Sequence, residues 1–237
     1  MMNFRRAILR WLYPLNEGNG RDAPPLDLDR ARRRMLNRDL RGRGIRDQRV
    51  LAAMARVARE QFLPPQLAAH AYDDNPLEIG HGQTISQPYI VARMSELLEV
   101  RPGHRVLEIG GGCGYQSAIL LELGAEVFIV EIVPELARAI APRLAALGYR
   151  RFHVSCHDGR LGWPEQAPFD GILVAAAAPR LPEPLKDQAC VGGRILAPIG
   201  GPSEQMLQLW RRLNGGFRCE ETIAVRFVPL TGGGEVA

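Results

Sequence analysis

From Arg105 onward, short apolar runs alternate with stretches of helical periodicity. Val106, Leu107 and Ile109 form a run of strand length that stops at Gly110, Gly111, Gly112 and Gly114. Residues 115–123 then read as a helix. Ala125, Val127, Phe128, Ile129 and Val130 make a second run, β-branched and aromatic, that ends on Glu131. The same alternation predicts strands at 105–109, 126–130, 152–156, 171–175 and 193–198, and hence an α/β fold with a doubly wound, mostly parallel sheet and helices on both faces. Residues 206–213 and 217–228, joined at Asn214-Gly215, read as a terminal antiparallel hairpin with a type I′ turn.

Upstream the pattern is helical. Residues 29–40 are charged and helix-like, and Ile45, Val50, Leu51, Met54 and Val57 recur near helical spacing before Phe62-Leu63-Pro64-Pro65. Residues 79–89 read as a loop of small and hydroxyl side chains leading into a helix through Val91, Met94, Leu97 and Leu98. Ser86 stands where an N-cap of that helix belongs. At the start, residues 1–15 suggest a loosely docked helix and 16–28 a linker rich in Gly, Pro, Asn and Asp. The expected division is therefore a basic segment and linker over 1–28 and one globular unit with an N-terminal helical cap over 29–237.

The glycine turn carries the first chemical signal. Gly110-x-Gly112-x-Gly114 differs from the G-x-G-x-x-G spacing that seats a pyrophosphate, and Glu108 lies two residues before it. A carboxylate there repels a pyrophosphate but suits a ligand carrying an ammonium and a sulfonium, which favours S-adenosylmethionine over a nicotinamide dinucleotide. Glu131, ending the second strand, is placed to accept hydrogen bonds from two ribose hydroxyls.

Composition narrows the classes. At 237 residues and 46% hydrophobic content the chain can bury one sizeable core, and no run of 18 apolar residues spans a membrane. The net charge of +4 is uneven: residues 1–50 hold thirteen Arg against six acids, or +7, leaving −3 for the remainder. Only Lys186 is a lysine, so the basicity reads as Arg usage on a solvated face, and no nucleic-acid partner is expected. Cys113, Cys156, Cys190 and Cys219 are scattered, which favours a reducing, cytoplasmic setting. His153, Cys156 and His157 fall on alternating faces of one strand with no second ligand pair, so no metal is expected. A G-x-S-x-G elbow is absent around Ser86, which excludes a hydrolase nucleophile there.

The loop I-G-H-G-Q-T-I-S-Q-P-Y-I-V-A-R-M closely resembles the signature that precedes a helix in protein-L-isoaspartate O-methyltransferases. The likeness continues through V-L-E-I-G-G-G-C-G-Y-Q-S-A, H-D-G-R-L-G-W, A-P-F-D-G-I-L-V-A-A-A, G-G-R-I-L-A-P-I-G and V-R-F-V-P-L, in family order over roughly residues 33–231. It implies methyl transfer from S-adenosylmethionine to the α-carboxylate of isoaspartyl residues in proteins or peptides, with collapse of the ester to a succinimide. By the same resemblance Ser86 is the active-site hydroxyl, with Gln83, Thr84, Ile85 and Val228 at the substrate. Glu108 with Gly110, Gly111, Gly112 and Gly114 would hold the methionine end, Glu131 the ribose, and Asp158 with Gly159 the adenine. A monomer is favoured. His157 and Ala175 depart from the family's Gly and Thr, and a family Pro is replaced by Ala58; His157 is expected to crowd the adenine pocket. Two alternatives stay open: a dedicated aspartate of one partner peptide as substrate, or a lapsed enzyme that binds the cofactor or a nucleic acid.

Overall fold

The computed structural model describes residues 27–232. The readings for residues 1–15 and for the linker as far as residue 26 lie outside the described residues. Helix α1, Leu28–Arg34, starts one residue before the expected boundary at 29, because Asp27 accepts a hydrogen bond from the Arg30 N–H and caps it. A π-helical stretch, Met35–Leu40, continues it and buries Met35 and Leu40. Helix α2, Gln48–Arg56, turns Val50, Leu51, Ala53 and Met54 inward, as their spacing predicts.

The segment read as a loop before the next helix contains a two-stranded hairpin instead, β1 Leu77–Gly80 paired with β2 Gln83–Ile85. Its two connecting residues, His81 and Gly82, both have positive φ, 55° and 68°, which is the backbone a primed turn needs. Helix α3, Pro88–Leu98, follows directly.

The main sheet has seven strands: β3 Arg105–Ile109, β4 Glu126–Glu131, β5 Phe152–Cys156, β6 Phe169–Val174, β7 Ala189–Gly200, β8 Gln205–Leu213 and β9 Gly216–Val225. Their spatial order is β5-β4-β3-β6-β7-β8-β9. The first five are parallel, and β8 and β9 close the edge antiparallel. The hairpin at 213–216 has the expected two-residue loop but not the expected turn. Neither Asn214 nor Gly215 has positive φ; Gly216, at 135°, takes that conformation and lets the ladder resume at once.

Alternate residues of the parallel strands feed two apolar layers. Val106, Val127, Ile129 and Leu173 pack under α2, α3, α4 (Tyr115–Glu122) and α5 (Pro134–Ala146). Leu107, Ile109, Phe128, Val130 and Ile172 meet Trp163 and α6 (Glu183–Gln188) on the other face. Burial on both faces explains why these strands read as continuous apolar runs rather than alternating ones.

Ser86 does not cap α3. The N-cap is Gln87, with no side-chain cap bond, and the capping is done from outside by Asp74. Its carboxylate accepts from the Tyr89 N–H at 2.9 Å and the Gln87 amide at 2.6 Å, and pairs with Arg43 at 2.6 Å. Removing an N-terminal acceptor costs about 0.5–2 kcal/mol. Asp74→Ala is therefore expected to lower unfolding stability by about that amount, and Ser86→Ala to leave it within about 0.5 kcal/mol, as for a surface position. Urea denaturation of the two variants checks both.

Candidate active site

The winding reverses at β3: the chain continues to β4 and β5 on one side, then crosses to β6 on the other. At such a point a crevice opens outside the carboxyl ends of the strands. Here it is lined by Gly110, Gly111 and Gly112 after β3, Glu131 and Ile132 at the end of β4, Gly159 after β5 and Ala175 after β6. Gly110 and Gly112 have φ of 84° and 54°, backbone that side chains rarely adopt, and a Cβ on Gly111 would overlap Ile129. The turn thus needs glycine both for its dihedrals and for its packing against β4.

Glu108 is fully buried and lines this cleft. One oxygen accepts the Ser117 hydroxyl at 2.5 Å; the other, Oε1, has no hydrogen-bond partner among the described residues. Burial, with a smaller push from nearby Glu131, raises its pKa from 4.5 to about 8, and the Ser117 bond only partly offsets this. Glu131 is anchored by two backbone donors, the Gly112 N–H at 2.8 Å on Oε2 and the Val133 N–H at 2.9 Å on Oε1. Each oxygen retains a lone pair for a ligand.

Gln83, Thr84, Ile85 and Ser86, at the end of the small hairpin, face the opposite wall of the same cleft, and Val228 borders it too. The Ser86 hydroxyl makes no hydrogen bond to a described residue. A second groove, along the end of β9 and α3, shares Thr84, Ser86, Ala175 and Val228 with the first. Ser86 therefore stands at the junction of two concavities.

A family model described as protein-L-isoaspartate (D-aspartate) O-methyltransferase matches residues 31–235. The chain belongs to the protein-L-isoaspartate O-methyltransferase family. A relative of that name from Gloeobacter violaceus is 54% identical over 83% of this chain and 97% of its own length, and one from Methylorubrum populi is 54% identical over 86% and 97%. Among solved structures, a protein-L-isoaspartate O-methyltransferase superposes with a TM-score of 0.76 at 28% identity, covering 85% of this chain and 66% of that one. A Plasmodium falciparum protein described as a putative member, in complex with S-adenosyl-L-homocysteine, has a TM-score of 0.73 at 27% identity over 84% and 97%.

The residues present fit the family's cofactor, S-adenosylmethionine. An unpartnered carboxylate oxygen, a second carboxylate with free lone pairs and a cleft-facing glycine backbone suit a cationic ligand bearing hydroxyls, and would repel a diphosphate. Two of the expected residues are not among those that line the cleft. Gly114 does not line the cleft; it caps α4 at φ 84° and packs beside Ile140 and Leu144 of α5. Asp158 also stays out of the lining: its carboxylate accepts from the Arg160 N–H and pairs with the Arg160 guanidinium at 2.7 Å, fixing the turn that brings Gly159 to the cleft.

His157 does not crowd this family site. Its Nε2–H donates to the Gly162 carbonyl at 2.8 Å and Nδ1 pairs with the Ser155 hydroxyl at 2.8 Å, which hold the ring outside the cleft lining. Ala175 does border it, opposite Gly110. Sequence reasoning missed Ser117, Gln116 and Ile132; Ser117 follows Gly114 by three residues, the helical spacing that returns a side chain toward the preceding strand.

Glu108 makes stability depend on pH in the ligand-free protein. Its folded pKa of about 8 exceeds the ordinary 4.5, so the folded state holds the proton more tightly. Its contribution is fully present below pH 4.5 and is lost as pH rises to 8. Melting temperatures across that window should fall in wild type, and the fall should be smaller in Glu108→Gln. Equal slopes would remove Glu108 as the cause.

Proposed function

We propose that this family member methylates the α-carboxylate of L-isoaspartyl residues in damaged proteins or peptides, starting their return to aspartate through a succinimide. The observation that carries the mechanism is Ser86, which lines both concavities where they meet and whose hydroxyl has no hydrogen bond to a described residue. S-adenosylmethionine, when bound, supplies an electrophilic methyl on a sulfonium.

Glu108 and the backbone of Gly110, Gly111 and Gly112 would hold the amino-acid end of the cofactor, Glu131 the ribose diol, and Gly159 with Ile132 the base. The second groove takes the peptide along Val228. Ser86, with Gln83, Thr84 and Ile85 around it, orients the substrate carboxylate by hydrogen bonding to it. That carboxylate is ionised at neutral pH, so no side chain has to act as a base. Orientation in line with the methyl and exclusion of water carry the rate, and positioning of this kind is worth about 7–11 kcal/mol. Cys113, Cys156 and Cys190 form no disulfide among the described residues, in keeping with a reducing, cytoplasmic setting. No helix among the described residues is long and apolar enough to cross a membrane.

Methyl transfer from labelled cofactor to paired isoaspartyl and aspartyl peptides tests the assignment. Label on the isoaspartyl peptide alone is expected; equal labelling of normal aspartate would instead favour a dedicated aspartate substrate. Ser86→Ala should lower kcat and kcat/KM together by roughly ten- to hundred-fold, the worth of a hydrogen bond to a charged group. Cofactor affinity should stay within a few-fold. Wild-type turnover in this variant would take Ser86 out of the mechanism. Glu131→Ala should weaken cofactor binding by about 1.5–3 kcal/mol by calorimetry; unchanged affinity would remove Glu131 from the site.

A further inference from the structure

After β9 ends at Val225, the chain runs on through residues 226–232 as a strap that bridges at Pro229 to Ala177, just past the carboxyl end of β6. One side of the strap borders the cofactor cleft through Val228, Pro229, Leu230 and Thr231. The other borders the second groove through Arg226, Phe227 and Val228. The same backbone is thus a wall of both.

Among the described residues, one fastening lies on each side of Val228. Beyond Val228 the backbone of Ala177 takes over: its N–H donates to the Val228 carbonyl at 2.8 Å, and its carbonyl accepts the Leu230 N–H at 2.7 Å. Before Val228 the fastening is one side chain. Gln205, the first residue of β8 and opposite Val225 in the ladder, is buried. Its Oε1 accepts the Phe227 N–H at 2.6 Å and its Nε2 donates to the Phe227 carbonyl at 3.1 Å. A carboxamide presents both a donor and an acceptor, as a peptide group does, so Gln205 extends the ladder past the last backbone pair. Gln205 lines neither concavity.

We propose that Gln205 is a positioning residue for methyl transfer, holding the strap so that occupancy of the peptide groove and of the cofactor cleft are coupled. The inference rests on the proposed function. A peptide that orders the strap from one side stabilises the wall that the cofactor needs on the other, and the coupling is reciprocal. With Phe227 unfastened, the part of the strap at the groove moves independently of the part that Ala177 holds at the cleft, so order imposed by the peptide no longer reaches the cofactor's wall.

The test compares wild type with Gln205→Met, of similar length but without the amide, and Gln205→Glu, which keeps an acceptor for the Phe227 N–H and loses the donor. Calorimetry follows S-adenosylhomocysteine binding with and without an isoaspartyl peptide, and steady-state assays give KM and kcat. In wild type the peptide should tighten S-adenosylhomocysteine binding. Gln205→Met should lose this effect and raise the peptide KM by roughly ten-fold, the worth of two neutral hydrogen bonds partly replaced by water, with a smaller change in kcat. Gln205→Glu should fall between. A lower melting temperature with wild-type KM and wild-type coupling would make Gln205 merely structural and overturn the proposal, as would independent binding of the two ligands to wild type. Should Gln205→Met not fold, Gln205→Glu decides by the same criteria. If wild type transfers no methyl to the isoaspartyl peptide, the proposed function fails. The positioning role is then judged on S-adenosylhomocysteine alone, whose affinity must fall in Gln205→Met.

Discussion

A carboxylate in the middle of an apolar sheet is costly, and the site is built on keeping one there. Glu108 shares a strand with Val106, Leu107 and Ile109, all of them fully buried, and one of its oxygens has no partner among the described residues. Burial of an unpaired charge is avoided by holding the proton, which is why its pKa rises to about 8. A neutral carboxyl that a cationic ligand can ionise is stability withheld from the free protein and made available to the complex. The Ser117 hydroxyl, the glycine turn and the anchored Glu131 are arranged around that one group.

The opposite wall is assembled from segments far apart in sequence. Ser86 arrives on a short hairpin whose turn, at His81 and Gly82, is local, but the start of α3 that follows it is set by Asp74 from another segment. Val228 arrives on a strap fastened by Gln205 and Ala177. Because capping is delegated to Asp74, the Ser86 hydroxyl has no structural duty among the described residues, and its exposure to both concavities is left for a ligand.

How much was legible in the sequence varies with the range of the forces involved. The five parallel strands were readable because burial on both faces writes itself as an apolar run, and the glycine turn because positive φ at Gly110 and Gly112 restricts the residue type. Glu108 and Glu131 were readable because a charge at the end of an apolar strand has few bland explanations. The type I′ turn was placed at Asn214-Gly215 and is found at His81-Gly82, since the strand register at Gly216 supplies the required conformation by another route. The resemblance gives Asp158 to the adenine and sets His157 against the adenine pocket, whereas in the fold the Asp158 carboxylate pairs with Arg160 and the His157 ring with the Gly162 carbonyl.

By itself, then, the sequence determined the sheet, the turn at its centre, the two acids and, through its family motifs, the chemistry. These follow from local dihedral limits, from periodicity and from the charge of single residues, all of which act within a few positions of the chain. Only the tertiary structure decided which polar groups are left unpaired. Among the described residues, Glu108 Oε1 and the Ser86 hydroxyl are left for a ligand because Ser117 takes the other Glu108 oxygen and Asp74 takes the start of α3, from 9 and 15 residues away in sequence. Hydrogen-bond satisfaction is a property of the packed neighbourhood, and no spacing rule along the chain encodes it.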